Sequence, residues 1–250
     1  MRRLTCEEFD AFESNIDTEY FGIPSAQAIL KASCFSEQKQ DELLEFLHGY
    51  EFIVIKNKAN NPINNRWIGE RTKAFLVDVN LQFQKIVLAS ETIDENPAKI
   101  SDNLPENDQI VQLAETSFNF SRFLNDPYIP NDKARCIYGD YVTNAFGKTG
   151  RFFSYTQIEG VITGFLLFSV NRPNASSTIE LIAVDQNFRG RGVGQVITRA
   201  MENFVNCQKI GKIIVGTQLN NLDALKFYTT YGFKHFECNP IYHYWPLKQL

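Results

Sequence analysis

The sequence predicts an α/β protein in which helices flank a central sheet, and three features support this fold class. A β-like run, Thr178–Val184, leads through a glycine-rich turn into a helix-like run, Gln195–Cys207. The order repeats downstream, where the β-rich run Lys212–Thr217 precedes a short helical pattern. Two further β-like runs, Arg151–Gln157 and Val161–Asn171, flank a short turn and are predicted to be strands. Strands that alternate with helices are typical of α/β folds.

The other predicted elements follow from apolar spacing and from residues that break regular structure. Apolar residues recur at helical intervals from Asp108 to Phe123, and a second helix is predicted over Asp132–Gly147, capped by Asn131 or Asp132. Two prolines make the segment between these helices a loop. The remaining predictions are a helix at Asp41–His48, a strand at Glu51–Lys56, a loop at Asn60–Asn65, a short helix at Trp67–Phe75 and strands at Leu76–Phe83 and His235–Trp245.

The turn Arg189–Gly194 has the composition of an anion-binding site. Glycine lets the backbone approach a ligand closely, and the first N–H groups of the following helix point at the anion. A P-loop is excluded because no Lys-Ser or Lys-Thr follows the turn. The dinucleotide fingerprint is excluded because one residue, not two, separates Gly192 from Gly194. We therefore expect the turn to hold a phosphate or pyrophosphate.

A second motif follows the strand Lys212–Thr217. Asn221 stands where a helix would begin and is a good N-cap, while Gly232 is placed to end that helix. Ala224 is small enough to leave room for a ligand beside the helix. Tyr228 lies one helical turn beyond Ala224 on the same face.

The two motifs, Arg-x-x-Gly-x-Gly from Arg189 and Asn-x-x-Ala-x-x-x-Tyr from Asn221, together resemble the acetyl-CoA signature of the GNAT superfamily of N-acetyltransferases. The resemblance implies a mixed, mostly antiparallel twisted sheet flanked by helices, acetyl-CoA as cosubstrate and no metal. The pyrophosphate would lie on the backbone amides of Gly190–Gln195, while pantetheine would pair with the strand near Ile182. Arg189 and Arg191 would either add positive charge there or be solvated surface residues. The residues assigned to the cofactor are Ile182, Ala183, Val184, Arg189, Gly190, Arg191, Gly192, Val193, Gly194, Gln195, Asn221, Ala224 and Phe227.

Acetyl transfer needs further groups besides the cofactor site. Tyr228 is the expected general acid for the departing CoA thiolate, because a phenol with a pKa near 10 stays protonated at neutral pH; the alternative is a core aromatic residue. A backbone N–H at Ile182 or Val184 would polarise the thioester carbonyl. Glu180 is the candidate water-mediated base on the same strand face, and the alternative is a salt-bridged or merely exposed glutamate.

Several segments outside the two motifs are similar to one branch of the family, the dTDP-fucosamine acetyltransferases. These segments are Tyr20–Ser25, Ala114–Phe118, Ser121–Phe123, Asp126–Tyr128, Tyr138–Ala145, Gly216–Asn221 and Tyr242–Trp245. The resemblance implies polysaccharide biosynthesis and a small-molecule acceptor, a nucleotide-linked amino sugar that attacks directly in a ternary complex. The alternatives are a general family member that acetylates a protein N-terminus, a polyamine or another small amine, and a CoA-sensing domain without catalysis. Candidate acceptor residues are Arg122, Phe123, Asp126, Tyr128 and Tyr155.

Two domains are expected, at residues 1–95 and 96–250. The segment Glu91–Gln109 is rich in proline, asparagine and acidic residues, and it is interpreted as a linker. Both motifs lie in the C-terminal domain. The smaller N-terminal α/β domain resembles a truncated acetyltransferase unit, has no Arg-x-x-Gly-x-Gly and cannot bind CoA by that mechanism. It would lend substrate contacts, a homodimer surface or structural support.

Composition narrows the function classes. The formal charge of −4 and the lack of a basic stripe argue against nucleic-acid binding. Five cysteines without metal-ligand spacing indicate free thiols in a reducing compartment. The first residues show no signal-peptide core, and the longest apolar run, Gly160–Val170, is too short to span a bilayer. We therefore expect a cytoplasmic enzyme with neither a membrane nor a nucleic-acid partner.

Overall fold

Two units make up the protein, and the structure, a computed structural model, describes its residues 2–31, 36–87 and 97–248. One unit comprises residues 1–81 together with residues 237–250, and the other comprises residues 82–236. The domain boundary expected at residue 95 lies outside the described residues, as does the first part of the expected linker.

The smaller unit is a mixed sheet with helices packed on it. In chain order its elements are β1 (Arg3–Thr5), β2 (Phe9–Glu13), α1 (Asn15–Phe21), β3 (Ser25–Leu30), α2 (Glu37–Leu47), β4 (Phe52–Asn57), α3 (Pro62–Arg71), the first part of β5 (Phe75–Ile86) and the last part of β11 (Lys234–Tyr244). The strand order includes β1-β2-β3-β4-β11. β3 and β4 are parallel and stay paired from Ser25 opposite Phe52 to Leu30 opposite Asn57.

Most of the elements predicted for this unit are confirmed, but the predicted loop Asn60–Asn65 is wrong in its second half. α3 begins at Pro62, because the Asn61 side chain accepts the N–H groups of Ile63 at 3.0 Å and Asn64 at 3.3 Å. Asparagine is a strong N-cap, and proline is well suited to the first helical position. A cluster of asparagines suggested a loop, although one of them caps a helix.

The larger unit alternates strands and helices. Its elements are the end of β5, β6 (Lys99–Ser101), α4 (Asp108–Ser117), α5 (Asn131–Thr143), β7 (Arg151–Ile158), β8 (Val161–Asn171), β9 (Ser176–Val184), α6 (Val193–Cys207), β10 (Lys212–Gln218), α7 (Leu222–Thr230) and the start of β11. The strand order includes β10-β9-β8-β7-β6, in which β9 and β10 are parallel and the other neighbours are antiparallel. The predicted α/β class with a mixed, mostly antiparallel sheet is therefore confirmed.

Helices cover both faces of this sheet. Alternate residues of β7 and β8, among them Phe153 and Phe165, form one core with Leu113 of α4 and Val142 of α5. On the opposite face, Phe152 and Phe168 stack at 5.2 Å and both contact Phe204 of α6. This period-two alternation lets both faces of one strand bury aromatic side chains.

Several predicted helix ends need correction. The helix predicted over Trp67–Phe75 ends at Arg71, and the one predicted to reach Gly147 ends at Thr143. The helix expected to reach Phe123 stops at Ser117, because Phe118 leaves helical geometry and stacks on Tyr138 of α5 at 4.6 Å. The next helix begins at Asn131 after Pro130, which makes no side-chain capping bond, so the predicted cap at Asn131 or Asp132 is wrong. β6 also lies inside the segment that was interpreted as a linker.

Candidate functional site

A cleft of about 670 Å³ in the larger unit brings the two sequence motifs together. Every residue expected to contact the cofactor lines it except Arg191, and Tyr228 lines it as well. The lining residues are Ser117, Asn119, Phe120, Ile182, Ala183, Val184, Phe188, Arg189, Gly190, Gly192, Val193, Gly194, Gln195, Asn221, Asp223, Ala224, Phe227 and Tyr228. The cleft therefore joins the end of β9, the glycine turn, the first turn of α6 and the N-terminal half of α7.

The glycine turn requires backbone conformations that glycine adopts readily. Gly190 has φ 74° and Gly192 has φ 80°, both in the left-handed region. Gly192 is the N-cap of α6 and supplies no side-chain capping bond. The N–H groups of the first helical turn have no intrahelical acceptors, so they and the helix dipole favour an anion at this end of the cleft.

β9 and β10 separate partway along their length. They are parallel neighbours from Ser176 opposite Lys212 as far as Ile179 opposite Val215, and no further pair joins them in the part of the chain that is described. Both strands continue beyond these pairs. The separation leaves one edge of residues 180–184 without a neighbouring strand from β10.

The backbone of Ile182 and Val184 faces that open edge. The Asp185 N–H donates to the carbonyl oxygen of Thr163, which precedes Gly164 on β8, at 3.0 Å. In a β-strand the N–H and C=O of one residue point to the same edge, and those of the next residue point to the opposite edge. Because Asp185 faces β8, the N–H and C=O groups of Val184 and Ile182 point away from β8. The two N–H groups and the C=O of Ile182 can pair with an extended ligand as an added strand would, whereas the C=O of Val184 accepts a hydrogen bond from Arg189.

The two arginines of the turn differ in their contacts. The Nε of Arg189 donates to the carbonyl oxygen of Val184 at 3.2 Å, and Arg189 lines the cleft. The guanidinium of Arg191 lies over the Phe188 ring, with 5.5 Å to its centroid. Arg191 does not line the cleft.

The predicted ends of the Tyr228 helix are confirmed. Asn221 Oδ1 accepts the N–H of Ala224 at 3.1 Å, so Asn221 is the N-cap of α7. Gly232, with φ 96°, follows the last turn and donates its N–H to Thr229 at 3.1 Å. The capping bond orients the first turn of α7 beside the open edge of the cleft.

Tyr228 is buried at the base of the cleft, with 3% of its surface exposed. Its ring contacts Phe227 and Phe233 edge-on, at centroid distances of 5.5 and 5.6 Å, and lies 6.1 Å from Phe83. Burial raises the pKa of Tyr228 well above that of a free phenol. The hydroxyl is therefore protonated throughout the neutral range.

Glu180 lies at an irregularity of β9. Leu181 pairs with Leu167 of β8, whereas Ile179 pairs with Phe168, so one extra residue stands on β9 between two consecutive partners. Glu180 is that residue, which makes the irregularity a β-bulge. A bulge interrupts the alternation of side chains along a strand.

The bulge directs Glu180 toward α5. The Tyr141 hydroxyl donates to Glu180 Oε2 at 2.9 Å, and Arg151 Nε lies 3.4 Å from the same oxygen. Burial, and then the neighbouring Glu180 charge, raises the pKa of Tyr141 to about 12. Regular alternation along the strand predicts that Glu180 shares a face with Ile182 and Val184. In the structure, Glu180 instead contacts α5 and does not line the cleft.

The residues expected at the acceptor do not line this cleft. The Arg122 guanidinium lies over the Phe123 ring at 4.0 Å. Asp126 is buried and accepts the N–H of Tyr128 at 2.8 Å, so its carboxylate shapes the loop. Tyr155 packs against the core between the sheet and the α4–α5 pair.

Three residues at the end of α4 and in the loop after it line the cleft instead, although their sequence did not indicate it. Ser117 is the last residue of α4, and Asn119 and Phe120 follow that helix. Phe120 is 45% exposed. The sequence offers three phenylalanines here, Phe118, Phe120 and Phe123, and it does not indicate which of them lines a cavity.

Two general properties bear on the site. In residues 2–31, 36–87 and 97–248, no group of three or more His, Cys, Asp or Glu side chains is arranged to hold a metal ion. The helices of the same ranges include none that is both long enough and apolar enough to cross a membrane.

The sequence matches one known family and shows similarity to a curated protein. The profile of the acetyltransferase (GNAT) family matches residues 109–233, which are half of the chain. The spore coat polysaccharide biosynthesis protein SpsD of Bacillus subtilis is 26% identical over 202 residues. The aligned region covers 80% of this chain and 68% of SpsD.

Two solved structures are similar along most of the chain. A conserved protein of unknown function from Staphylococcus epidermidis has a TM-score of 0.64 at 10% identity, covering 98% of this chain and 94% of that one. A tandem GNAT protein from the clavulanic acid biosynthesis pathway has a TM-score of 0.58 at 11% identity, covering 92% and 77%. At such low identities, the likeness establishes the fold.

Proposed function

We propose that this chain, which belongs to the acetyltransferase (GNAT) family, transfers the acetyl group of acetyl-CoA to the amino group of a nucleotide-linked amino sugar. The acceptor that we favour is dTDP-4-amino-4,6-dideoxygalactose, acetylated at its 4-amino group. The observation that carries the acetyl transfer is the cleft in which the α6 N-terminus, the open β9 edge and Tyr228 meet. Similarity to SpsD, named for spore coat polysaccharide biosynthesis, over 80% of this chain supports a sugar acceptor.

Acetyl-CoA would occupy the cleft in two sections. Its pyrophosphate would accept hydrogen bonds from the amides of Gly190–Gln195, where the helix dipole adds positive potential. Its pantetheine arm would pair with the open edge at Ile182 and Val184. Ala224 on α7 leaves room for that arm, because its side chain is a single methyl group.

The reaction would proceed by direct attack in a ternary complex. The neutral amine nitrogen of the acceptor attacks the thioester carbonyl carbon, so an N–C bond forms as the C–S bond breaks. The products are an acetamide and CoA. One proton leaves the attacking nitrogen, and one proton must reach the departing thiolate.

Chain groups would handle the charge and the protons. A backbone N–H of Ile182 or Val184 would stabilise the developing oxyanion, a contribution typically of about 10² to 10³ in rate. Tyr228 would donate its proton to the thiolate. Glu180 would accept the amine proton through water, by the oxygen that does not bind Tyr141 and Arg151.

The acceptor would bind beside the loop that follows α4. Arg122, Phe123, Asp126, Tyr128 and Tyr155 remain our candidates for this pocket, and Arg122 would meet a diphosphate. Asn119 and Phe120 join them because they line the cleft. A flat aromatic side chain such as Phe120 can stack on a sugar or a nucleotide base.

The test is acetyl-CoA turnover, followed as free thiol, with dTDP- and UDP-linked amino sugars, peptides and polyamines as acceptors. We expect kcat/KM for the dTDP-4-amino-4,6-dideoxyhexose to exceed the others at least about 100-fold, since buried polar contacts reject analogues that lack the matching group. Turnover with peptides or polyamines alone would refute the sugar acceptor. Binding of acetyl-CoA without turnover of any amine would favour a CoA-sensing role.

We further infer that the smaller unit is a truncated acetyltransferase-like domain that holds no acetyl-CoA. Its parallel strands β3 and β4 stay paired from Ser25 and Phe52 to Leu30 and Asn57, so they leave no open edge of the kind found on β9. Isothermal titration should give one acetyl-CoA for each chain. A second site that survives disruption of the Arg189–Gly194 turn would contradict this inference.

A further inference from the structure

Arg189 makes a hydrogen bond to the backbone, which an arginine that acts only by its charge on a phosphate would not need. Its Nε donates to the carbonyl oxygen of Val184, the last residue of β9, at 3.2 Å. That carbonyl lies on the open edge, because the N–H and C=O of Val184 point away from β8. The hydrogen bond therefore connects the glycine turn with the strand edge where pantetheine is proposed to lie.

The turn between these two points has few other restraints. Asp185 anchors its first half, where the N–H donates to Thr163 and the carboxylate accepts the N–H of Asn187 at 2.8 Å. The second half contains two left-handed glycines and ends at an N-cap that has no side-chain bond. Glycine loses more conformational freedom than other residues when it is ordered, so a restraint is most useful in this half.

We infer that Arg189 is a positioning residue, whose Nε–Val184 hydrogen bond holds the glycine turn against the end of β9 so that the pyrophosphate and pantetheine sites keep a fixed separation. The hydrogen bond, more than the positive charge, is its main contribution to cofactor binding. The inference deepens the proposed function and rests on the placement of acetyl-CoA in this cleft.

Substitution by glutamine or by lysine separates the contribution of the Nε hydrogen bond from that of the positive charge. The Nε2 of glutamine stands the same number of bonds from the backbone as the Nε of arginine, so Arg189→Gln keeps a donor and removes the charge. Lysine has a methylene group at that position and its ammonium one bond further along, so Arg189→Lys keeps the charge but has no donor at the Nε position. Arg191→Gln is the matched control for charge, since it removes one positive charge from the same turn and Arg191 lies over the Phe188 ring outside the cleft lining.

The measurement is the Kd for acetyl-CoA, by titration calorimetry at low and high salt, with thermal unfolding to verify the fold of each variant. We expect Arg189→Lys to weaken binding about five- to tenfold, the usual effect of one lost hydrogen bond. Arg189→Gln should stay within about threefold of the wild type and match Arg191→Gln, because a solvent-exposed charge contributes little. The KM for acetyl-CoA should follow the same order, while kcat stays unchanged.

The inference is overturned if the two variants rank in the opposite order of acetyl-CoA affinity. If Arg189→Lys binds like the wild type while Arg189→Gln is weak and its affinity depends less on salt, Arg189 acts by charge. Equal losses in both variants, or no loss in either, also contradict a positioning role. If the wild type binds no acetyl-CoA, the proposed cofactor site itself is wrong. If the wild type binds acetyl-CoA but the variants show one of the patterns above, only the positioning role of Arg189 is wrong.

Discussion

Gly194 on α6 lies so close to the Phe227 ring on α7 that an added β-carbon would come within 3.3 Å of it. Both residues line the cleft. Gly194 therefore allows two helices from separate motifs to contact each other beside the proposed cofactor site, in addition to leaving a backbone amide accessible.

The first prediction concerns this contact. Gly194→Ala should raise the KM for acetyl-CoA about three- to tenfold, because the Phe227 ring must shift and the ring borders the cleft. The unfolding free energy should change by less than about 1 kcal/mol, since alanine favours the helix while the crowding opposes it. Steady-state kinetics and urea unfolding measure the two quantities. Adding Phe227→Leu should restore the KM, and a KM that is unchanged by Gly194→Ala alone would contradict the contact.

The second prediction tests the proposed acid. Tyr228→Phe should lower kcat by about 10² to 10⁴, the usual range for an acid–base group, and should leave acetyl-CoA affinity within about twofold. The ring packing against Phe227 and Phe233 is retained, so the fold should remain intact. Single-turnover kinetics isolate the chemical step. An unchanged chemical rate would remove Tyr228 from this role.

The third prediction follows from the raised pKa of Tyr228. The unfolded phenol ionises near pH 10, whereas the buried phenol stays neutral to higher pH, so its contribution to stability is complete below pH 10. As pH rises above that value, the unfolded state loses its proton first and stability falls by up to about 1.4 kcal/mol for each pH unit. Urea unfolding between pH 9 and about 11 should show a shallower fall in Tyr228→Phe. Equal slopes would mean that the ring is not buried in solution.

A fourth prediction addresses Glu180. If it accepts the amine proton, Glu180→Gln should lower kcat/KM in steady-state assays by about 10² to 10⁴, the usual range for an acid–base group. Glu159→Gln, at an exposed hairpin turn, is the matched control for loss of one carboxylate. An unchanged kcat/KM in Glu180→Gln would limit Glu180 to its contacts with Tyr141 and Arg151.

The fifth prediction concerns stability away from the cleft. Glu202 Oε1 forms an ion pair with Lys85 Nζ at 2.6 Å, and Glu202 Oε2 accepts a hydrogen bond from the Tyr231 hydroxyl at 3.0 Å. All three side chains are partly buried. Glu202→Gln should lower the unfolding free energy by about 1 to 2 kcal/mol, since hydrogen bonds to charged groups are stronger than neutral ones. A double-mutant cycle with Lys85→Met should give a coupling energy near 1 kcal/mol, roughly the upper end for an exposed pair. Additive effects would show that the ion pair is negligible in solution.

Local signals were sufficient for much of the fold and for the cofactor side of the cleft. The cap at Asn221, the helix end at Gly232 and the glycine turn each depend on neighbouring residues, so the sequence could indicate them. The hairpin strands β7 and β8 were equally clear, because a turn and alternating apolar residues mark them. In the smaller unit, β1, β2 and β3 went unpredicted, since short strands carry little periodic signal.

The residues on the acceptor side of the cleft could not be predicted from local sequence signals. Arg122, Phe123 and Tyr128 were chosen for their chemistry, but the end of α4 at Ser117 and the stacking of Phe118 decide which loop residues reach the cleft. That stacking joins α4 to α5, which are separated by a loop. The choice between Arg122 and Phe120 as a lining residue therefore depends on packing and not on residue type.

By itself, the sequence determined which residues form the glycine turn and the α7 cap, because backbone conformation and capping depend on a few adjacent side chains. Only the tertiary structure decided where β9 leaves β10 and that Glu180 is a bulge residue turned toward Tyr141. Both depend on pairing between strands far apart in the chain. A shift of one residue in register reverses the face of every side chain beyond it, and the local sequence does not record that shift.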